Sequence, residues 1–342
     1  MTTARIAAGI TLEELGWDGG WQAARDEIEP AAGTVARVAV EHRGAVEVVD
    51  AGGGFWAEPT GKMFFAAGDR RALPVVGDWV VVSDADGARA SGSRAPLRAI
   101  LPRRTCLVRR AAGERDEPQP IAANVDVAFV VTSANQELKP RRLERYLTTV
   151  REGGARPVIV LNKVDLVSDP APLVAAAAAV AGDAPVVCTA ATAGHGLDAL
   201  AVHLGRGRTA VVVGSSGVGK STIVNGLMAG AVELATAPIS ALGDRGRHTT
   251  TRRELYVLAS GGVLIDTPGM RELQLWGDGD DDLAAFDDVD ALAAGCRFAD
   301  CRHLQEPGCA VRAAVAAGDL DPARLAGFHK LAAERARRPR RR

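Results

Sequence analysis

Between Gly33 and about Leu101 the hydrophobic positions come in short runs broken by glycine: "GTVARVAVEHRGAVEVVDAGG", "GKMFFAAG" and "PVVGDWVVV". Valine-rich runs at this spacing predict the strands of a small all-β barrel or sandwich. The preceding "TLEELGWDGGWQAARDEIEP" predicts a short helical lead-in. After "LPRRTCLVRR" the rhythm changes. "VDVAFVVTS" is followed by "RRLERYLTTVREGG", "RPVIVLNK" by an Ala-rich helix near Val174 to Ala181, "APVVCTA" by "GLDALAVHLG", and "RTAVVVGSS" by "KSTIVNGLMAG". Apolar strands alternating with helices predict a mostly parallel sheet covered on both faces, which "RRELYVL" and "GVLIDTPG" complete. An acidic stretch, "DGDDDLAAFDDVD", reads as a solvated linker to a Cys/His cluster and a tail ending "RARRPRRR".

A chain of 342 residues accommodates two or three domains, each with its own core. Formal net charge is −1, so nucleic-acid binding would have to come from local patches. No apolar run approaches the roughly 18 residues of a membrane span, and the N-terminus lacks a basic segment followed by a hydrophobic core. The expectation is a soluble, cytoplasmic protein without a membrane partner. Five cysteines, three of them within Cys296 to Cys309, do not resemble a secreted disulfide framework.

Gly214, Gly219, Lys220 and Ser221 fit G-x-x-x-x-G-K-[ST], with an apolar strand before and a helix after. Such a loop, here Gly214, Ser215, Ser216, Gly217, Val218, Gly219, Lys220, Ser221 and Thr222, turns backbone amides toward phosphate oxygens. Lys220 would reach the β- and γ-phosphates and Ser221 would ligate Mg²⁺. "DTPG" follows the strand "GVLI", so Asp266 would hold the Mg²⁺ shell through water while the Gly269 amide approaches the γ-phosphate. Of the threonines in "GRHTTT", Thr250 is the better candidate to sense γ-phosphate and metal, with Thr249 the alternative.

In "NKVD" a carboxylate at Asp165 can accept from both N1–H and N2–H of guanine, for which adenine has no matching donors. Asn162 would face the opposite edge of the base and the Lys163 stem would lie over its face. "CTAAT" ends another strand and suits a loop, at Thr189 and Ala190, whose backbone supports the base. The ligands implied are GTP and GDP. In an ordinary GTP-binding domain the base-reading motif follows the phosphate loop; here it precedes it. The order is base recognition, base support, phosphate loop, first switch, second switch, which is the ordinary series cut and rejoined elsewhere, a circular permutation.

That order, with "GRHTTT", "DTPG", "PVVGDWV", "PIAANVD" and "CRFADCRHLQEPGCAV", resembles the ribosome small-subunit-dependent GTPase A family (RsgA, also called YjeQ), from about Gly33 to Phe328. The resemblance implies an oligonucleotide/oligosaccharide-binding (OB) barrel, a permuted α/β GTPase and a mainly helical zinc-binding domain. It also implies late maturation of the small (30S) ribosomal subunit, with hydrolysis stimulated by that subunit and 16S rRNA as a partner. The expected domains are a lead-in at 1–32, the barrel at 33–102, the permuted GTPase at 103–276 and the zinc domain with its basic tail at 277–342, in a monomer. Thr189 stands where many GTPases have serine, and the first thirty residues have no assigned counterpart.

Where many GTPases carry a glutamine that orients the attacking water, this chain has Met270, and a thioether cannot do so. His248 is a candidate replacement, since an imidazole accepts a hydrogen bond from water near neutral pH; the other reading is a solvent-exposed loop histidine. The resemblance implies the catalytic role. Cys296, Cys301, His303 and Cys309, in C-x₄-C-x-H-x₅-C, are a donor set for one structural Zn²⁺, or else unrelated buried thiols beside a surface histidine. The resemblance implies zinc. Cys106 and Cys188 stand alone beside strands and read as packing residues.

From Ala291 onward eleven Lys/Arg face five acids, a net +6, which suits either plain solvation or contact with rRNA phosphates. Phe55, Trp56, Phe64, Phe65 and Trp79 could be stacking platforms or barrel core. Two alternatives to a subunit-dependent hydrolase stay open: a nucleotide-gated RNA-binding adaptor with negligible turnover, and a permuted GTPase acting on another ribonucleoprotein.

Overall fold

The computed structural model describes residues 9–28, 33–42, 44–66, 70–110, 118–134, 138–215, 217–228, 253–266, 289, 292–298, 301–320, 322, 325 and 329. By their contacts these fall into two units, one reaching to Asp266 and the other comprising the residues from 289 onward.

In the first unit a helix, α1 (Gly19–Asp26), precedes strands β1 (Thr34–His42), β2 (Ala45–Asp50) and β3 (Gly53–Pro59), helix α2 (Gly61–Ala66), strand β4 (Trp79–Val82), helix α3 (Ala85–Ser91) and strand β5 (Arg94–Ile100). The strands run β1-β2-β3-β5-β4, and β4 pairs back onto β1, so a five-stranded barrel closes. β3 and β5 are parallel and the other pairs antiparallel, as an OB barrel requires. Closure buries the inward residues Val38, Val48, Phe55, Val80 and Leu97 as one cluster. "GKMFFA" is a helix, not the expected strand. Lys, Met and Phe are not β-branched, and the Thr60 hydroxyl accepts from Met63 N at 3.4 Å, closing a helical first turn.

A hairpin of β6 (Cys106–Arg110) and β7 (Pro118–Ala123) leads into β8 (Val127–Ser133), α4 (Pro140–Glu152), β9 (Arg156–Asn162), α5 (Ala171–Ala181), β10 (Val186–Thr189), α6 (Leu197–Ala201), β11 (Thr209–Gly214), α7 (Lys220–Met228), β12 (Glu254–Val257) and β13 (Val263–Asp266). The order β10-β9-β8-β11-β13 is parallel throughout, and β12 is antiparallel beside β13. All seven residues of β8 are buried, because α4 and α5 cover one face and α6 and α7 the other. β11 comes late in the chain yet lies between β8 and β13, at the centre of the sheet. That placement is what circular permutation means physically: the packing of an ordinary GTPase sheet is retained with the chain ends moved.

The barrel and the α/β domain share one hydrogen-bonded sheet, since β12 pairs with β1 at Val40↔Glu254 and Arg253 pairs with Glu41 at 2.7 Å. "PVVGDWV" and "PIAANVD" meet at this junction. Gly77 has φ +91°, and a Cβ there would stand 2.2 Å from the Ala123 carbonyl oxygen, so only glycine allows the approach. Asn124 Nδ2 donates to Gly77 O at 3.1 Å, while buried Asp78 accepts two hydrogen bonds from Arg103, at 2.8 and 2.7 Å. The lead-in seals the same place. Trp17 meets Trp79 edge-on at 4.8 Å, Arg104 lies 4.1 Å over Trp21 and also grips Asp18, and Glu14 pairs with Arg206 at 3.0 Å.

At the centre of the junction sits Arg37, 2% exposed, donating to the carbonyl oxygens of Leu15, Gly77 and Asn124 and to Thr209 Oγ1. Burial pushes its guanidinium down to about 10, with Asp126 and Asp78 opposing, so it stays charged at neutral pH. One side chain thus ties lead-in, barrel, hairpin and phosphate-loop strand. Arg37→Ala strands these acceptors away from water and is expected to cost about 3 kcal/mol or more, read as a lower urea midpoint of the full chain.

The second unit holds helix α8 (Ala310–Ala317) over a small core of Val289, Val311, Ala314 and Leu320. No helix among the described residues is long and apolar enough to cross a membrane.

Candidate nucleotide site and metal cluster

Strands β8, β9, β10, β11 and β13 all point their C-terminal ends to one edge of the sheet, the edge where open α/β folds bind ligands. β11 ends at Gly214, the loop after it carries Ser215, Gly217, Val218 and Gly219, and α7 begins at Lys220 with exposed Ser221 and half-buried Thr222 in its first turn. Lys220 Nζ folds back onto Gly214 O at 2.7 Å and onto Ser215 O. Asp266 ends β13, the strand next to β11, which brings its half-buried carboxylate to the same edge.

"NKVD" ends β9 and is tied to the loop directly. Asn162 Nδ2 donates to Val218 O at 2.9 Å and Lys163 Nζ to Gly217 O at 2.6 Å. Gly219 has φ +100°, and a Cβ there would lie 2.2 Å from Asn162 Nδ2; the final glycine is therefore required as much by the base-reading loop as by any phosphate. Asn162 Oδ1 accepts from Thr189 Oγ1 at 2.9 Å and from Ala191 N at 3.2 Å. Asn162, 2% exposed, therefore fastens three loops together, a role the sequence reading did not give it.

Lys163 adopts φ +62°, a left-handed conformation that turns the chain into a short 3-10 turn over Val164–Leu166. On that turn Asp165 is exposed, and its carboxylate has no hydrogen-bond partner among the described residues. Ala190 is buried, and its N–H and carbonyl exchange hydrogen bonds with His195, closing the loop after β10. An acceptor-only group held free, beside a buried asparagine tied to a phosphate-type loop, is what reading a base with two adjacent donors requires.

One contact lies outside every motif. Arg142, in the first turn of α4, donates from NH1 to Ser215 Oγ at 2.9 Å. Ser216, His248, Thr250, Gly269 and Met270 lie outside the described residues.

The second unit brings Cys296, Cys301, His303 and Cys309 together, with all four ligand atoms within 4.8 Å of one another. Cys296 Sγ to His303 Nδ1 is 3.6 Å, His303 Nδ1 to Cys309 Sγ 3.4 Å, and Cys296 Sγ to Cys309 Sγ 3.9 Å. A tetrahedron with Zn–S of about 2.3 Å and Zn–N of about 2.0–2.1 Å has S···S edges near ~3.8 Å and S···N edges near ~3.5 Å. The donor set and its spacing fit zinc. Cys309 also caps α8, its Sγ accepting from Arg312 N at 3.5 Å. His303 holds φ +60°, a backbone cost that a ligand position explains. The reading of these residues as unrelated thiols with a surface histidine does not survive, since His303 is 4% exposed. Cys106 and Cys188 are half-buried, and burial pushes both thiols up, away from reactivity.

The family model described as RsgA GTPase matches residues 100–276. A protein of Opitutus terrae named small ribosomal subunit biogenesis GTPase RsgA is 46% identical over 332 residues, spanning 96% of this chain and 90% of its own. A protein of the same name from Syntrophotalea carbinolica is 43% identical over 333 residues, 95% of this chain and 90% of its own. Among solved structures, the crystal structure of YjeQ from Thermotoga maritima superposes with a TM-score of 0.53 at 25% identity, covering 89% of this chain and 99% of that one. With permuted strand order, fused barrel and Cys/His cluster all present, the chain belongs to the RsgA GTPase family and is a GTP-hydrolysing enzyme.

Proposed function

We propose that this GTPase acts in biogenesis of the small ribosomal subunit, binding the subunit and its 16S rRNA in the cytoplasm as a monomer and hydrolysing GTP faster when bound. The relatives that match nearly the whole chain carry that role in their names. The observation that carries the nucleotide part of the reading is the direct tie between base-reading and phosphate loops through Asn162 and Lys163.

In this reading Asp165 accepts from guanine, Thr189 and Ala190 support the base, and the amides from Gly214 to Gly219 with Lys220 hold the phosphates. Ser221, Thr250 and Asp266 hold Mg²⁺, Asp266 through water, and the Gly269 amide meets the γ-phosphate. Mg²⁺ supplies charge neutralisation for the leaving phosphate oxygens. His248 orients the attacking water. A route from nucleotide to barrel exists in the sheet itself: β12, next in sequence after the "GRHTTT" segment, is bonded to barrel strand β1. Phe55 and Trp79 are core and Trp56 is half-buried with its ring 4.5 Å from that of His42, whereas Phe64 and Phe65 are 58% and 95% exposed, which makes them the pair most open to stacking.

Sedimentation through a sucrose cushion tests the reading. The full chain should pellet with purified small subunits in a non-hydrolysable GTP analogue and much less in GDP; equal pelleting in both would remove nucleotide gating. Zinc has its own test. Freshly purified protein should carry about one Zn²⁺ per chain. Cys301→Ser should lower that content and destabilise the second unit before the first. Metal analysis without zinc in unchelated protein would end the assignment.

A further inference from the structure

Among the described residues three cations touch the phosphate loop: Lys220 on Gly214 O, Lys163 on Gly217 O, and Arg142 on Ser215 Oγ at 2.9 Å. The first two belong to motifs with roles; the third does not. Arg142 is half-buried in the first turn of α4, a helix that opens Lys139-Pro140-Arg141-Arg142 with no acidic residue in that turn and no side-chain cap. Cations at a helix N-terminus stand against the helix dipole. A helix that accepts this arrangement beside a loop built for anions breaks a local rule where a bound polyanion would compensate it.

From this contact we propose that Arg142 is a positioning residue for GTP hydrolysis: it holds the phosphate loop in its working geometry through Ser215 and adds positive charge beside the nucleotide's phosphates. The inference rests on the reading of Gly214–Thr222 as the GTP phosphate site. α4 is well placed to bear the load, because Leu143, Leu147 and Val150 anchor it in the core under the sheet. The loop is then braced on one side by β9, through Asn162 and Lys163, and on the other by α4. Small displacements of such a brace lose alignment with the attacking water while leaving the fold intact.

A double-mutant cycle tests this on the full chain with Mg²⁺ and small subunits. Arg142→Ala should lower kcat by about 10-fold or more, the scale for a misplaced reacting group. It should also weaken GTP binding more than GDP binding, since GTP carries the greater charge. Ser215→Ala keeps the guanidinium and loses the tether, so kcat should fall with KM nearly unchanged. The double variant should be no worse than Arg142→Ala, because both remove one interaction. Arg142→Lys, which keeps the charge without the fork, should recover GTP affinity but not full kcat. Unchanged thermal midpoints would separate positioning from folding. Additive losses, or Arg142→Ala within twofold of the parent, would overturn the inference. Lys220→Ala run in parallel distinguishes the deeper failure: if it binds GTP normally, the phosphate-site reading itself is wrong.

Discussion

Asp165→Asn is expected to exchange the base preference of the enzyme, lowering GTP affinity by at least about 10²-fold and raising that for xanthosine triphosphate. Guanine offers two adjacent donors, N1–H and N2–H, and a carboxylate accepts both. An amide can accept only one and turns its own N–H₂ at the other, leaving a donor unpaired in a desolvated site. Xanthine carries a carbonyl where guanine carries the amine, so the same amide suits it. The geometry prepares this: Asn162 spends its amide on Val218, Thr189 and Ala191, so base choice falls to the free carboxylate on the 3-10 turn. Competition titrations with GTP, xanthosine triphosphate and ATP check it. An unchanged GTP preference in the variant would remove "NKVD" from the site.

His248→Ala should leave GTP affinity and GTP-dependent subunit binding nearly intact, since phosphate loop and "NKVD" are untouched. Subunit-stimulated turnover should fall by roughly 10²-fold or more, the scale of losing a water-orienting or proton-transfer group. The reason is chemical: Met270 replaces the usual glutamine, and a thioether cannot orient water. Basal turnover changes little if docking on the subunit is what brings the imidazole to the γ-phosphate. Nucleotide titration and phosphate release measured in parallel separate this from Lys220→Ala, which weakens binding itself. Full stimulated turnover in His248→Ala would assign the water to rRNA or a backbone group.

The nucleotide loops were legible in the sequence because each is a local string at a strand end, and backbone chemistry fixes what such a string can hold. The Cys/His cluster was legible from its spacing, which named the residues, and the structure added that their ligand atoms lie together at distances that fit a tetrahedral zinc site. What pattern could not deliver is non-local. In "TVARVAVEH" alternation alone does not reveal a wholly buried guanidinium, yet Arg37 is enclosed by carbonyls from three distant segments. The lead-in looked unassignable because its meaning lies in Trp17 against Trp79 and Glu14 against Arg206. Aromatics of the same barrel segment likewise differ only in three dimensions, Phe55 at 2% exposure and Phe65 at 95%. Arg142 did leave a trace, an acid-free basic helix start, which becomes informative only once Ser215 is found beside it.

The direct test of a subunit-dependent GTPase is multiple-turnover phosphate release by the full chain, with and without purified small ribosomal subunits, and with large subunits as control. A rise in GTP turnover of at least 10-fold with small subunits alone is the expected result, on the scale of a completed catalytic constellation. Turnover that is unchanged by small subunits, or raised equally by large ones, would contradict it.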